Sequence, residues 1–269
     1  MKVRKQAVAG YFYSEDSASL SKEVNLYLAS DVVHEKALAV VMPHAGYLYS
    51  GEVAGKTAAS VAVPDTVVIL CPKHTPYGAN LALSDAQAWQ IPFGEIPVNR
   101  EFADLLLSFK NNLFRFDSMA HAKEHSAEVL LPFLYKRNPN ISIVPVAYGP
   151  CSYDEVEATG RQLAFAIEKW QGDVLIAASS DMSHQIPQVV AEKLDSMAIE
   201  QIINLNSKGL YNTVKDNNIS MCGVIPVTAA LVAANHLGAK KASLIQYSTS
   251  AKATLDTSSV VGYAGMVIY

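Results

Sequence analysis

The chain has 269 residues, half of them hydrophobic, and a formal net charge of -4 at pH 7. A chain of this length and composition can bury a core that needs neither disulfides nor a structural metal. The slight negative charge provides no general attraction to nucleic acid or to anionic lipid, so we expect neither as a partner. Three basic residues near the start, Lys2, Arg4 and Lys5, are interpreted as solvated surface.

The cysteines and the apolar runs indicate the compartment. Cys71, Cys151 and Cys222 are far apart and lack the paired spacing of disulfide frameworks or zinc knuckles. The N-terminal segment has no apolar core of signal-peptide length, and no apolar run reaches the ~18 residues of a transmembrane helix. We therefore expect a cytoplasmic protein that is not embedded in a membrane.

Apolar runs alternate with amphipathic segments along the chain. Helical spacing predicts helices over residues 17–29, 51–62, 100–109, 126–136, 154–170, 191–205 and 225–237. Near-continuous apolar runs predict strands over 37–42, 66–71, 141–148, 173–179, 242–247 and 259–269, whereas the less regular stretch 77–99 suggests a hairpin or long loop. The alternation, without linker or repeat, predicts one domain over residues 1–269. Its fold class is α/β, with layers of helices flanking a largely parallel or mixed central sheet.

Polar residues follow three of the predicted strands directly. His44 follows the first, His74 the second, and Asp181 with His184 the fourth. The carboxyl ends of strands in an open α/β sheet border the ligand crevice, so we expect these side chains to converge. Taken singly, His44 and His74 are explained at least as well by structural roles, and Asp181 by capping of a helix.

Two further groups of residues are candidates for the same crevice. Cys222 precedes a predicted helix start, which favours its thiolate. Glu124 and His125 are expected to line the crevice and bind substrate, although Ser126 and Glu128 also fit the acidic start of a helix. The histidine spacing is not that of zinc peptidases, and the P-loop, dinucleotide and serine-hydrolase motifs are absent.

Several short strings resemble the Memo family in type and in order. They are Ala9-Gly10-Tyr11-Phe12-Tyr13, Pro43-His44-Ala45-Gly46-Tyr47, Glu124-His125-Ser126-Ala127-Glu128, Ser179-Ser180-Asp181-Met182-Ser183-His184, Cys222-Gly223 and Ser258-Ser259-Val260-Val261-Gly262-Tyr263-Ala264. The resemblance covers essentially the whole chain. It therefore implies a fold for the entire sequence.

Memo proteins are similar to the LigB-type class III extradiol dioxygenases, whose non-haem iron activates oxygen. The resemblance implies a LigB-like fold in which His44, His74 and Cys222 match metal-site residues. It also implies that Asp181 and His184 border the same cleft. A cysteine in place of the dioxygenase carboxylate departs from a typical iron site, because thiolate suits copper and zinc.

The leading hypothesis is a metal-binding protein of redox, dioxygenase-like type, holding Fe(II) or copper, with zinc as a further candidate. His184 is expected to be the catalytic acid and base, and Asp181 to orient it. One alternative is a non-catalytic module that uses the cleft to bind a peptide or an anion. Another is a metal-dependent hydrolase, since a metal held by histidines can activate water. The ligand is accordingly expected to be a small molecule or a peptide.

Overall fold

The computed structural model describes residues 2–29 and 36–269. The helices are α1 Ser17–Leu28, α2 Tyr47–Ala59, α3 Arg100–Leu107, α4 Leu131–Arg137 after a 3₁₀ turn at Glu128–Leu130, α5 Tyr153–Lys169, α6 Gln188–Ile203, α7 Ser207–Asp216, α8 Val224–His236 and α9 Ala251–Thr254. The strands are β1 Val3–Arg4, β2 Ala39–Met42, β3 Thr66–Pro72, β4 Leu81–Leu83, β5 Ala88–Ile91, β6 Gly94–Pro97, β7 Arg115–Phe116, β8 Ser142–Tyr148, β9 Val174–Ser179, β10 His184–Ile186, β11 Ala242–Thr249 and β12 Val260–Ile268.

A mixed sheet forms the centre of the described residues. Its central strands β2, β9, β3 and β8 lie side by side in that order and are parallel. Antiparallel strands extend both sides, with β12 on β2 and β4 on β8. Every residue of β3 is buried, as expected for a strand covered on both faces. The predicted α/β fold with a mixed sheet between helices is confirmed.

Alternate residues of the central strands supply two cores. Val68 and Leu70 of β3 face a cluster that includes Leu163 of α5 and residues of α6 and α8. Val67 and Ile69 face the opposite cluster, which includes residues of α1, α2 and α4. Since strand side chains alternate between faces, one apolar run fills both cores. The sheet is thereby packed on both faces.

Two predicted regions differ in detail from the structure. The stretch 77–99 contains the predicted hairpin, formed by β5 and β6, and also β4, which joins the main sheet. The predicted helix over 191–205 corresponds to α6, and a second helix that the sequence analysis did not predict, α7, follows it. Leu205 adopts a positive φ of 55°, and the side chain of Asn206 accepts a hydrogen bond from Gly209 N to start α7.

The surface interpretation of Arg4 is wrong. Arg4 is buried, forms an ion pair with Glu128, and lies 4.2 Å from the centre of the Trp89 ring. Glu128 also accepts the Tyr13 hydroxyl at 2.6 Å, so this acidic first residue of the 3₁₀ turn also anchors the N-terminal segment. Desolvated charges of this kind are retained only when paired, which explains why these two occur together.

Within the ranges described, no helix combines the length and the apolar character required to cross a lipid bilayer.

Candidate metal centre

The central strands bring the predicted site residues to one edge of the sheet. His44 lies two residues beyond β2, His74 two beyond β3, and Asp181 two beyond β9. The neighbours β2, β9 and β3 are parallel, so their carboxyl ends open onto a common space. Convergence of residues that are distant in sequence is therefore a consequence of the strand order.

Three imidazoles meet in that space. Ligand nitrogens of His44, His74 and His125 all lie within 4.8 Å of one another. The ring of His44 is centred 5.3 Å from that of His74 and 5.4 Å from that of His125, and the latter two stack at 4.7 Å. His44 is buried, whereas His74 and His125 are more exposed. The sequence placed His125 with the substrate, and the structure puts its ring beside the other two.

The tautomer of His44 follows from its hydrogen bonds. Its Nδ1 lies 2.7 Å from the hydroxyl oxygen of Ser179, and that hydroxyl donates to the Ser126 carbonyl at 2.6 Å. A serine has only one proton to donate, so Nδ1 of His44 must be the donor in the first bond. Burial, and then the neighbouring histidines, lower the pKa of His44 well below its usual value. The ring is consequently neutral and carries its lone pair on Nε2.

Glu124 orients His74 in the same manner. Its Oε1 accepts from Nδ1 of His74 at 2.9 Å, and its Oε2 accepts from the backbone N–H of His74 at 2.6 Å. Burial by itself raises the pKa of Glu124, but the hydrogen bond and charge of His74 outweigh it and hold the pKa well below its usual range. Burial lowers the pKa of His74, yet the hydrogen bond with Glu124 and its charge prevail and raise it.

This arrangement changes the role expected for Glu124. The residue is fully buried, and its carboxylate also accepts from the backbone N–H groups of His125 and Ser126 at 2.9 and 3.0 Å. Its acceptor positions are therefore used within the protein. Glu124 fixes Nδ1 of His74 as the protonated nitrogen and leaves Nε2 for a ligand, whereas the sequence assigned it to substrate binding.

Cys222 lies beside His44. Its sulfur is 3.4 Å from Nε2 of His44 and accepts from the backbone N–H of Asp181 at 3.3 Å. Burial, and then the charge of Asp181, raise the pKa of the thiol above its usual value. Without an ion the thiol is therefore protonated, and a bound metal would replace that proton. A Cβ at the next residue, Gly223, would lie 2.3 Å from the Ser179 carbonyl oxygen, so glycine is required for this close approach.

Asp181 and His184 have separate partners. Oδ1 of Asp181 accepts from the backbone N–H of His44 at 2.8 Å, and burial raises the pKa of this carboxyl group. Nδ1 of His184 donates to the Ser220 carbonyl at 2.9 Å, which leaves its Nε2 as an acceptor. The sequence expected Asp181 to orient His184. In the structure Ser220 holds the His184 ring, and Asp181 holds the loop of His44.

A cleft of about 470 Å³ lies beside this group, and His125 is the member of the imidazole cluster among its lining residues. His125, Asp181 and His184 line its floor together with mostly apolar and aromatic residues, namely Tyr11, Phe12, Ala45, Gly46, Tyr49, Ser250, Thr254, Val261 and Tyr263. No lysine or arginine is among these lining residues. Tyr11 is 89% exposed, whereas Tyr263 is buried, so aromatic side chains extend from the mouth to the floor.

Sequence reasoning did not find Ser179, Ser220 or Arg4. Ser179 fixes the tautomer of His44, Ser220 fixes that of His184, and Arg4 donates to the Glu124 carbonyl. A lone serine or an N-terminal arginine has no distinctive spacing that marks such a role. The signal available for Ser179 is its position at the end of an apolar strand, next to residues already suspected.

Comparison with known proteins agrees with the whole-chain resemblance. A family model described as Memo-like protein matches residues 4–267. The MEMO1 family protein of Methanothermobacter thermautotrophicus is 35% identical over 274 residues, covering 97% of this chain and 99% of the relative. That of Methanococcoides burtonii is 37% identical over 268 residues, covering 99% and 100%. That of Aquifex aeolicus is 37% identical over 270 residues, covering 99% of each.

A solved structure shares the fold at low sequence identity. The crystal structure of an uncharacterized protein from Escherichia coli K12 superposes with a TM-score of 0.58 at 13% identity, covering 86% of this chain and 100% of that one. This likeness concerns the fold alone. The match to the family model and the relatives show, by contrast, that the chain belongs to the Memo family.

Proposed function

We propose that the chain binds a transition-metal ion at the imidazole cluster, with His44, His74 and Cys222 as ligands and His125 as a further nitrogen donor. The observation that carries the proposal is the pair of fixed tautomers. Ser179 and Glu124 take the Nδ1 protons of His44 and His74, so both rings keep a lone pair on Nε2. Such support from outside the ligand set is typical of metal-binding histidines.

The thiol of Cys222 has a suitable separation from His44. In a tetrahedral site with metal–sulfur and metal–nitrogen bonds of ~2.3 and ~2.0 Å, sulfur and nitrogen are about 3.5 Å apart. The sulfur of Cys222 is 3.4 Å from Nε2 of His44. A mixed nitrogen and sulfur set suits copper and zinc, and imidazole also suits iron. We propose Fe(II) or copper as the resident ion, with zinc as a competitor.

The surrounding residues supply proton transfer and binding. A bound ion provides a Lewis acid, and iron or copper adds one-electron chemistry, which makes a redox function the leading proposal. His184 faces the same cleft with Nε2 free to accept or return a proton, because Nδ1 donates to the Ser220 carbonyl. Asp181 holds the backbone of His44 in position.

The cleft lining favours an uncharged small molecule or apolar peptide side chain over an anion. Its aromatic walls present apolar surface, and its lining residues include no lysine or arginine. Burial also lowers the pKa of the floor residue His125, which keeps its ring neutral. An anion would thus meet no fixed positive charge from these side chains. The alternative of an anion-binding module has no supporting contact here.

Metal content and affinity test the proposal directly. Protein purified without a histidine tag is loaded with Fe(II), Cu(II) or Zn(II), and bound metal is measured by mass spectrometry for wild type, His44→Ala and Cys222→Ser. We expect each variant to lose at least tenfold in affinity, on the order found when ligand support is removed. His236→Ala, at the far end of α8, is the matched control. Unchanged metal content in both site variants would remove the proposal.

Two further measurements divide the proposal into parts. His125→Ala tests whether His125 is a fourth ligand. If His44, His74 and Cys222 complete the site, the metal affinity of this variant should match that of wild type. Oxygen uptake by the Fe(II)-loaded and copper-loaded proteins with a panel of aromatic substrates tests the redox function. Metal binding with no uptake by either form would leave a binding module.

A further inference from the structure

Asp195 of α6 is a buried carboxylate that lies behind the cleft and is absent from its lining. It is fully buried, and its Oδ1 accepts from Ser183 twice, from the backbone N–H at 3.0 Å and from the hydroxyl at 2.6 Å. Its Oδ2 accepts the Tyr247 hydroxyl of β11 at 2.7 Å. Burial raises the pKa of this carboxyl group, while the three donors lower it. A desolvated carboxylate is costly unless it is hydrogen-bonded, and these three donors satisfy it.

Ser183 is the residue through which Asp195 reaches the site. It lies in the loop between β9 and β10, two residues after Asp181 and directly before His184. Gly262 of β12 holds the same loop from the other side, because its N–H donates to the Ser183 carbonyl at 2.9 Å and its carbonyl accepts from Met182 at 2.8 Å. Ser183 is thus fixed at its N–H, its carbonyl and its side chain.

The carboxylate of Asp195 packs closely against the strand that holds the loop. A Cβ added at Gly262 would lie 2.0 Å from Oδ2 of Asp195, so the carboxylate fills the gap between α6 and β12. On the opposite side of the loop, Asp181 accepts from the backbone of His44 and donates to the sulfur of Cys222. A displacement of Ser183 would accordingly move two contacts of the proposed metal ligands.

We propose that Asp195 is a positioning residue that acts through Ser183 to hold the loop carrying Asp181 and His184 against the cleft. The inference rests on the proposed function of the cleft. It deepens that proposal by assigning the loop's position to a residue that touches neither ligand nor metal ligands. The alternative is a purely structural role, in which Asp195 only attaches α6 to β11, and the experiment must distinguish this role from positioning of the loop.

Four variants distinguish these roles. Asp195→Ala removes the anchor, and Ser183→Ala removes only the hydroxyl bond from loop to anchor, which keeps the test available if the first variant does not fold. Tyr247→Phe is the matched control, because it removes a bond to the same carboxylate without touching the loop. Asp195→Asn is the conservative variant, since its amide oxygen still accepts from Ser183.

Two readouts are used, both on the full chain. Amide hydrogen exchange measures opening of residues 181–184 in the metal-free protein. Co(II) is the probe for the ligand set. Its binding is measured by its dissociation constant and by the thiolate-to-cobalt band in the near ultraviolet. We expect Asp195→Ala and Ser183→Ala to increase loop exchange and the Co(II) dissociation constant by about tenfold, as for loss of one hydrogen bond or one outer contact of a metal site. Tyr247→Phe is expected to stay within about twofold of wild type.

The outcomes separate this inference from the proposed function. Greater loop exchange in Asp195→Ala and Ser183→Ala than in Tyr247→Phe, with recovery in Asp195→Asn, supports a positioning role. Equal exchange in all variants, or weakened contacts of α6 with an unchanged loop, overturns it. If wild-type protein fails to bind Co(II), the metal proposal fails, and the exchange measurements still decide the role of Asp195.

Discussion

Replacing Glu124 by Gln tests how the site depends on one buried carboxylate. The wild-type Oε1 accepts from Nδ1 of His74, from the N–H groups of His125 and Ser126, and from the Ser126 hydroxyl at 2.8 Å, while Oε2 accepts from His74 N. A glutamine amide must direct its NH₂ at one of these donor sets. At least one buried donor then loses its acceptor.

The loss of stability expected for Glu124→Gln follows from the hydrogen bonds that are lost. A hydrogen bond to a charged group contributes about 1.5–3 kcal/mol, and an unsatisfied buried donor costs about 1–3 kcal/mol. Allowing for relaxation of the loop, we expect Glu124→Gln to lower the free energy of unfolding at pH 7 by about 2–3 kcal/mol. Because His74 also loses the partner of its Nδ1, metal affinity is expected to fall by roughly 10–100-fold.

The stability difference between wild type and Glu124→Gln should depend on pH in a direction that general disruption of packing would not produce. The pKa of Glu124 is held below its unfolded value, so its contribution is present above that unfolded value, near ~4.3, and is lost as pH falls through the folded pKa. The difference between wild type and Glu124→Gln should therefore shrink in acid. Urea unfolding from pH 7 to pH 3 and metal titration at pH 7 measure both effects. Stability within about 0.5 kcal/mol of wild type and unchanged metal affinity would refute this account of Glu124.

Three other predictions follow from single contacts. Arg4→Met leaves the buried Glu128 carboxylate without its ion-pair partner and should lower the free energy of unfolding, measured in urea, by about 3–5 kcal/mol. Lys5→Met, at an exposed position, is the control and should have little effect. Similar losses of stability in the two variants would contradict the ion-pair role of Arg4. Gly262→Ala places a Cβ against Asp195 and should cost about 1–3 kcal/mol, and a melting temperature equal to wild type would show that the contact is relieved. Metal release on acidification should begin above the pH of an ordinary histidine, because the pKa of His74 is raised and its proton competes with the ion. Release that begins only below the pH at which an ordinary histidine is protonated would argue against His74 as a ligand.

Much of the fold could be predicted from local patterns. The apolar runs over 66–71 and 173–179 correspond to β3 and β9, and the amphipathic segment over 154–170 corresponds to α5. These elements follow a clear period of apolar residues, which depends only on near neighbours in sequence. The helix α7 was missed, since its start depends on the backbone of Leu205 and on a cap at Asn206.

The candidate residues could be selected from the sequence, but the contacts that they make could not. His44, His74 and Cys222 could be selected from their strings and their positions after strands or before a helix. The place of His125 beside the other rings could not, because the order of parallel strands and the path of the segment 121–127 decide which loops meet. The roles of Glu124 and Asp181 likewise depend on which donors face each carboxylate, and periodicity carries no information about that.

The sequence by itself determined the alternation of strands and helices, the family, and a set of candidate site residues, because these depend on residue type and short spacing. Only the tertiary structure decided that Ser179 and Glu124 leave lone pairs on His44 and His74, and that Arg4 is buried against Glu128. The physical reason is that a tautomer or a desolvated ion pair is set by partners far away in the chain. Those partners are brought into contact by the sheet.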